Sequence, residues 1–297
     1  MKFTLSWLKD HLETTATLQE ITDKLTAIGL ELEGVEDKAK QLEAFSVAKI
    51  LEATRHPEAD KLQICKVESD IGELQIVCGA ANARAGLYVA LAKEGTIIPV
   101  GGMTIKKTKI RGVDSCGMLC SLEELGLATS SAGILELPEA KIGAKVADVL
   151  GLNDPVIDIA ITPNRADCLG VRGVARDLAA AGLGRLEGRG KWDEGNYATI
   201  PHTPSPIPIT VSIETSSCSQ FIGCHITSVI NRPSPEWLKK RLEAIGQKSI
   251  SALVDITNYF TFDLGRPLHV YDASKISGNL TVREAKQGEK LAALNGK

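Results

Sequence analysis

The sequence predicts a multidomain α+β protein, with a compact block of short β-strands lying between segments of mixed structure. Residues 40–150 contain five β-rich runs separated by turn signals. Helical patterns dominate the first 38 residues and return after residue 150, and four prolines between residues 201 and 208 mark a connector. At 297 residues the chain is long enough for two or three domains, each with its own core.

The composition excludes several classes of protein. Hydrophobic residues make up 43% and charged residues 24%, which is ordinary for a globular protein. A net charge of −3 argues against a surface that binds nucleic acid everywhere, so such contact should be local. Neither a signal peptide nor a membrane-spanning run is evident. The seven cysteines lack a C-x-x-C pair and predict reduced thiols in a cytoplasmic protein, with no metal site.

The elements of the first half follow from apolar periodicity. A helix is predicted to begin after Thr17 and to end at Gly29, because Leu18, Ile21, Leu25 and Ile28 share one face. The five β-rich runs are FSVAKILEA, LQICKV, ELQIVCG, LYVALA and GMTIKKTKIRG. Because no long helix separates them, they predict a small barrel or sandwich.

The second half is predicted to be mixed. PVIDIAI reads as a buried strand, and LGVRGVARDLAAAG as a helix that ends at Gly182. Beyond the connector PHTPSPIP, ITVSI predicts a strand and SPEWLKKRL a helix capped by Ser234. Near the end, NLTVREA and EKLAALNGK predict strands, and Asn295-Gly296 is a hairpin signal without a returning strand. The last feature suggests a truncated polypeptide.

The segment MTIKKTKIRG is the main cluster of basic residues. If it is one strand, Lys107, Lys109 and Arg111 lie on one face at intervals of about 6.5–7 Å, and Lys106 lies on the other. Such a face can follow a phosphate backbone, but lysines also protect edge strands from aggregation. Residues 40–150 carry 13 Lys and Arg against 14 Asp and Glu, so this block should assist nucleic-acid binding rather than dominate it.

Two histidines are considered as candidates for a functional role. In DITNYFTFDLGRPLHVYD, Asn258 and His269 lie eleven residues apart and are candidates for orienting water at an ester. The alternative is a hydrogen-bonded structural histidine and an asparagine that braces a turn. In HPEAD, His56 is predicted to shape the loop between two strands rather than to bind a metal.

The order of the motifs resembles a known family. HPEADKLQICKV, VCGAANARAG and KIRGVDSCGMLCSLEELGL resemble the oligonucleotide-binding (OB) fold of tRNA-binding modules. Together with MKFTLSWLKDHL, ITPNRADCLGVRGVARDLAA, SPEWLKKRL, LVDITNYF and GRPLHVYDASKI, they make the whole chain similar to the beta subunits of bacterial phenylalanyl-tRNA synthetases.

The resemblance implies an architecture. Residues 1–39 and 151–200 would form a split α+β domain, and residues 40–150 a five-stranded OB-type barrel inserted into it. Residues 201–297 would be the N-terminal part of a B3/B4-type α/β editing domain.

The resemblance to this family also implies which residues form the sites and which partners the chain has. Lys61, Asn82 and Arg84 would join Lys107, Lys109 and Arg111 in binding tRNA(Phe). Asn258 and His269 would lie at the pocket that hydrolyses Tyr-tRNA(Phe), together with residues from farther along the chain. Cys224 stands where a basic residue is expected. Aminoacylation, with its ATP and Mg²⁺, would belong to the alpha subunit of an alpha2beta2 heterotetramer. No cofactor is expected in this chain.

Three functional hypotheses remain open on the sequence. The first is a component of this synthetase, which would not charge tRNA by itself. The second is a stand-alone OB-fold module that binds tRNA or acts like a chaperone, without enzymatic activity. The third is a scaffold whose barrel holds protein. The motifs between Pro201 and Lys297 favour the first hypothesis, because a stand-alone barrel has no use for them.

Overall fold

The computed structural model describes residues 1–188 and 209–290. They divide into two compact units: unit 1 comprises Met1–Ser6 with Leu18–Ala160, and unit 2 comprises Trp7–Thr17 with the residues from Ile161 onward. The domain boundaries predicted from the sequence do not coincide with these units and stay predictions. The predicted connector at 201–208 and the signal at Asn295-Gly296 lie outside the described residues.

The elements are numbered in chain order. The strands are β1 (Lys2–Thr4), β2 (Leu12–Glu13), β3 (Leu32–Glu36), β4 (Phe45–His56), β5 (Ala59–Ser69), β6 (Gly72–Cys78), β7 (Tyr88–Ala92), β8 (Thr108–Ile110), β9 (Val113–Ser115), β10 (Met118–Leu119), β11 (Glu136–Leu137), β12 (Val156–Ile159), β13 (Arg185–Leu186), β14 (Val211–Ile213) and β15 (Leu280–Val282). The helices are α1 (Leu5–Lys9), α2 (Leu18–Ala27), α3 (Lys38–Gln41), α4 (Val146–Leu150), α5 (Val171–Ala180), α6 (Glu236–Ala244) and α7 (Ala252–Leu264). Short 3₁₀ turns lie at Ala166–Cys168 and Ala273–Lys275.

Unit 1 contains a small sheet built from distant parts of the chain. Its antiparallel order is β1-β12-β3, with Phe3 opposite Ile157. Both of these side chains are fully buried. The predicted helix before this sheet is confirmed as α2, which buries Ile21 and Leu25, and Gly29 follows it with a φ of 85°.

The main sheet of unit 1 has six strands in the order β10-β7-β4-β5-β6, with β11 also paired to β7. Both faces of β4 are buried: Phe45 and Val47 join one hydrophobic cluster, and Ala48 and Ile50 join another. Ahead of β10, the Cys116 N–H donates a 2.9 Å hydrogen bond to the Gln75 carbonyl on β6. This bond joins β6 to the segment just before β10, and the two outer strands of the sheet, β10 and β6, also contact each other, so the sheet is curved.

The fifth predicted strand is not a strand of that sheet. Only Thr108–Ile110 of GMTIKKTKIRG is extended as β8, and it pairs with β9 in a separate two-stranded hairpin. The turn residues Arg111 and Gly112 have φ values of 46° and 83°, the conformation of a two-residue type I′ turn. The prediction of one long strand was wrong, because the chain joins a strand only from Thr108 to Ile110 and then turns at Arg111 and Gly112.

Unit 2 is a mixture of helices and short strands. Strand β13 pairs with β2, and the short β14 and β15 form a parallel pair. Gly170, just before α5, lies against Gly265, just after α7: a Cβ atom on Gly170 would be 2.3 Å from the Gly265 nitrogen. Only glycine allows this backbone-on-backbone contact.

The start of α6, the cysteines and the lengths of the helices can also be compared with the predictions. Ser234 does not cap α6 as predicted; its hydroxyl donates to Asp255, and Pro235 occupies the cap position. All seven cysteines are free thiols. No helix among residues 1–188 and 209–290 is long and apolar enough to cross a bilayer.

A network of four charged residues links the 3₁₀ turn at Ala166–Cys168 to the second half of α5. Arg165 hydrogen-bonds both Asp167 and Asp177, and Arg176 does the same. Hydrogen bonds from Arg165 and Arg176 hold the pKa of Asp167 well below its usual range. Burial acts to raise the pKa of Asp177, but hydrogen bonds from Arg176 and Arg165 outweigh it and lower that pKa. Both carboxylates therefore stabilise the folded state in their ionised form.

We expect this network to make unit 2 sensitive to acid. A carboxylate whose pKa is lower in the folded chain contributes stability above its unfolded pKa of about 3.9, and the contribution is lost as pH falls through the folded value. Asp177→Asn should reduce the free energy of unfolding by about 2 kcal/mol at pH 7 and by less at pH 3, where the unfolded chain is largely protonated at this residue. Urea unfolding at the two pH values measures this difference.

Glu243→Gln is the matched control, because Glu243 is exposed on α6 and takes part in no ion pair among the described residues. It should change the unfolding free energy little at either pH. An equal loss for Asp177→Asn at pH 7 and pH 3 would contradict an electrostatic role.

Candidate functional site

His56 joins the turn between β4 and β5 to the hairpin β8–β9. Its side chain is buried, its Nε2 lies 3.2 Å from the Ile110 carbonyl oxygen, and the Glu58 N–H donates to its Nδ1 at 3.1 Å. Since Nδ1 accepts, Nε2 must carry the hydrogen and donate to Ile110, which makes the ring a neutral imidazole. The prediction that His56 shapes the loop is confirmed, and the structure adds that it also holds β8.

The cationic face consists of Lys61 on β5 together with Lys107, Lys109 and Arg111 along the hairpin. All four side chains are exposed, and none takes part in an ion pair within the residues that the structure describes. Their predicted alternation along one strand is wrong, because Lys107 precedes β8 and Arg111 lies in the turn. The hairpin nevertheless presents the three cations to solvent, and His56 places the turn that precedes Lys61 against it. Unpaired exposed cations are the groups that bind phosphate oxygens.

Asn82 and Arg84 have internal partners. The Asn82 side chain exchanges two hydrogen bonds with the backbone of Ile134, at 2.9 and 3.0 Å. Arg84 forms a bidentate pair with Glu136 at 2.9 Å for each bond, and this pair lowers the pKa of Glu136. Both residues brace their loop against the segment that leads into β11. Their predicted role in binding tRNA stays a prediction, and their charges and amide groups are already engaged.

Asn258 and His269 are not brought together by any hydrogen bond among the described residues. Asn258 lies in the middle of α7 and is half-buried. His269 is exposed in the segment after α7, where its ring stacks on Tyr271 with centroids 5.8 Å apart. A hydrolytic role for the two residues therefore stays a prediction.

Helix α7, which carries Asn258, is anchored near both ends by buried carboxylates that sequence reasoning missed. At its start, Asp255 accepts hydrogen bonds from the Ser234 and Ser249 hydroxyls and from the Ile250 N–H. Burial acts to raise the pKa of Asp255, but these hydrogen bonds outweigh it and lower that pKa. The carboxylate is thus an ionised structural anchor.

At the other end of α7, Asp263 accepts hydrogen bonds from Trp7 Nε1 at 2.7 Å and from His11 Nε2 at 2.6 Å. Tyr259, one turn earlier, stacks on Trp7 with ring centroids 5.1 Å apart. The bonded residues are separated by 256 and 252 positions in the chain. No local pattern in the sequence signals such a pairing.

One group of side chains has the spacing of metal ligands but does not fit a cation. The ligand atoms of Asp167, Cys168 and Asp177 lie within 4.8 Å of one another. The guanidinium groups of Arg165 and Arg176 already neutralise the two carboxylates. Burial raises the pKa of the Cys168 thiol to about 12, so the thiolate that binds metals is not available at neutral pH.

Two known protein families match the chain, one in each half. Residues 45–145 match the family described as "Putative tRNA binding domain", and residues 217–297 match the "B3/4 domain". A solved MetRS-related protein from Pyrococcus horikoshii is 24% identical and covers 34% of this chain and 87% of its own. Its TM-score of 0.26 is too low to bear on the fold.

Curated relatives match from end to end. The phenylalanine–tRNA ligase beta subunit of Zymomonas mobilis is 55% identical over 304 residues, which cover 100% of this chain and 37% of that protein. That of Rhodopseudomonas palustris is 54% identical with the same coverage. The chain spans little more than a third of the length of these relatives. Along its whole length, the chain is similar to part of these phenylalanine–tRNA ligase beta subunits, and it matches a tRNA-binding domain and a B3/4 domain.

Proposed function

We propose that this chain is the part of a phenylalanine–tRNA ligase beta subunit that binds tRNA(Phe) and contributes to the hydrolysis of mischarged Tyr-tRNA(Phe). The observation that carries the first half is the cationic face, whose exposed side chains form no ion pair among the described residues and lie beside a backbone contact made by the buried His56 at Ile110. It lies within residues 45–145, which match a putative tRNA-binding domain.

The proposed fold of this region is an OB-type barrel built on residues 40–150. The curved sheet and the bond between Cys116 and Gln75 support closure of such a barrel. In this proposal, residues 1–39 and 151–200 form the surrounding α+β domain, and residues 201–297 belong to the editing domain. OB-type barrels bind nucleic acid across one face and its flanking loops.

The cationic face can bind RNA through the phosphate backbone. Each Lys or Arg that replaces a condensed counterion on RNA releases it to solvent, which makes binding favourable at low salt and weaker at high salt. Because residues 40–150 carry 13 basic and 14 acidic residues, the favourable field is local to the hairpin. We therefore propose that this unit adds affinity and orientation to tRNA binding.

The hydrolytic half of the proposal rests on the B3/4 match at residues 217–297. A binding pocket for Phe discriminates poorly against Tyr, which adds one hydroxyl, so a second site that removes Tyr from tRNA improves accuracy. His269 and Asn258 are proposed to orient water toward the aminoacyl ester. The exposed imidazole of His269 is accessible for this role, and the anchored α7 gives Asn258 a fixed position.

The partners follow from the same proposal. Aminoacylation, with ATP and Mg²⁺, is assigned to the alpha subunit of an alpha2beta2 heterotetramer, because the similar proteins are beta subunits of a phenylalanine–tRNA ligase. The proposed location is the cytoplasm, whose reducing conditions suit seven free thiols. A stand-alone tRNA-binding module or a protein scaffold would not explain why residues 217–297 match a B3/4 domain.

Reversal of charge on the hairpin tests the binding half. The triple variant Lys107→Glu, Lys109→Glu and Arg111→Glu should weaken tRNA(Phe) binding at least tenfold at about 50 mM salt and flatten its salt dependence, because three phosphate contacts are replaced by repulsion. Fluorescence anisotropy with labelled tRNA at several salt concentrations measures both quantities.

The matched control reverses the charge of three exposed lysines of unit 2 by substitution with Glu: Lys275, Lys286 and Lys290. It changes the net charge by the same amount as the hairpin variant. It should retain near-wild-type affinity. If both triple variants lose affinity equally, the effect is one of net charge and the cationic face is not the binding site.

A single substitution tests the hydrolytic half. In a longer beta subunit that contains this chain, assembled with its alpha subunit, His269→Ala should raise the accumulation of Tyr-tRNA(Phe) about tenfold or more and leave charging with Phe nearly intact. Aminoacylation assays with labelled Tyr and labelled Phe measure the two products.

His225→Ala, at another exposed histidine of the same unit, is the control and should affect neither product. A parallel loss of Phe charging in His269→Ala would show that the histidine has a structural role. Unchanged Tyr-tRNA(Phe) would remove it from the hydrolytic site.

A further inference from the structure

A cavity of about 840 Å³ lies within unit 1, and the proposed function makes no use of it. Its walls come from the end of β6, the segment before β8, the hairpin β8–β9, strand β10 and residues 131–134. Sites for small molecules in proteins have volumes of about 300–1,000 Å³, so the cavity has the size of such a site.

The inner walls of the cavity are largely apolar. The buried aliphatic side chains that line it are Ile105, Leu119 and Ile134, and the half-buried Met118 lies among them. The apolar part of a ligand is stabilised against such walls, because its surface is removed from water there. The interior therefore suits a hydrocarbon body, such as an aromatic ring.

Two carboxylates also line the cavity, and neither is paired with a cation among residues 1–188 and 209–290. Glu123 is exposed, and Glu124 is half-buried. One oxygen of Glu124 accepts a 2.7 Å hydrogen bond from the Ser121 N–H, and its other oxygen accepts none from the described residues. Glu124 thus has an unused acceptor beside an apolar interior.

The negative charge of Glu124 acts on groups inside unit 1. Burial, with the charge of Glu124 as a second cause, raises the pKa of the Cys120 thiol to about 12. The same two causes raise the pKa of Cys78, which lines the cavity and is therefore neutral at pH 7. Among the described lining residues, Lys106 is the one Lys or Arg, and it is exposed. With two carboxylates and one ammonium group, the lining carries a net negative charge.

The walls and the charge together select the class of ligand. A hydrogen bond from a cation to a carboxylate is stronger than one between neutral groups, and more so where water is partly excluded. An anion would be repelled by the two carboxylates, and a neutral ligand would leave Glu124 without a counter-charge. A cation with an apolar body satisfies both the walls and the carboxylates.

We propose that this cavity binds a small organic cation, with its apolar body against the buried aliphatic side chains and its charged group at Glu124 and Glu123. The inference goes beyond the proposed function and does not depend on it. The cavity is also separate from the cationic face. Thr108 and Ile110 line the cavity, whereas Lys109 lies between them on the strand and points to the other side.

The test compares three probes of similar shape and different charge with the full chain. The probes are naphthylmethylamine, which is a cation at pH 7, naphthylmethanol, which is neutral, and naphthoate, which is an anion. Isothermal titration calorimetry measures their affinities. We expect the amine to bind about tenfold more tightly than the alcohol, because only the amine pairs with a carboxylate, and the anion to bind most weakly. Equal affinities, or tighter binding of the anion, would overturn the proposal.

Variants without the two carboxylates identify the partner of the ammonium group. The double variant Glu123→Gln and Glu124→Gln should lower the affinity for the amine to that for the alcohol, and leave the affinity for the alcohol unchanged. Gln at position 124 still offers an oxygen to the Ser121 N–H, so the local hydrogen bond can be kept. The control is the double variant Glu68→Gln and Glu94→Gln, at two exposed residues of unit 1 outside the lining, and it should bind the amine like the parent chain.

Circular dichroism and thermal unfolding show whether each variant folds. If the double variant at the cavity does not fold, Glu123→Gln alone removes an exposed charge and should still weaken binding of the amine several-fold. If the amine binds the cavity variants and the control with equal affinity, the carboxylates are not its partners and the proposal is wrong.

Backbone amide chemical shifts locate the bound amine. Titration of the isotope-labelled chain with naphthylmethylamine should shift the amide signals of residues 117–124 and 131–134, which lie in or next to the lining, more than those of unit 2. Shifts that avoid these two segments would place the amine elsewhere and overturn the proposal.

Discussion

A buried imidazole joins the hairpin β8–β9 to the turn between β4 and β5. His56 uses both ring nitrogens, one to accept from the backbone at Glu58 and one to donate to the Ile110 carbonyl. Because the hairpin β8–β9 is not part of the main sheet, its position depends on such cross-links, including the hydrogen bond that Val77 N–H donates to the Ser115 hydroxyl at 3.1 Å. The same hairpin bears Lys109 and Arg111 of the cationic face. Loss of the imidazole would therefore disturb the position of these two cations.

Local signals in the sequence predicted much of the framework. The apolar stripe and terminal glycine gave α2, and the alternating runs gave β4 to β7. The basic segment was misread because period-two spacing assumes a continuous strand, whereas Arg111 adopts a positive φ that side chains other than glycine rarely adopt. Its cations were still found, since exposure of charged residues depends little on the exact path of the backbone.

The partners of individual side chains were beyond sequence reasoning. Asn82 and Arg84 were identified as loop residues, but Glu136, which engages both, lies more than fifty positions away. Asp263 binds residues from the first turns of the chain, and nothing local to α7 signals this. These long-range bonds fix the helix that carries Asn258. Sequence patterns show where polar groups occur, and only the fold shows which of them are already engaged.

Removal of the imidazole without a change of formal charge tests the central claim most directly. His56→Ala leaves every Lys and Arg of the cationic face intact, so amide hydrogen exchange of residues 108–115 and tRNA affinity can be compared with the parent chain. The account predicts faster exchange in the hairpin than in β4 to β7, together with a loss of several-fold in affinity. Wild-type affinity in a variant whose hairpin exchanges faster would show that RNA binding does not depend on the position of this hairpin, and would contradict the account.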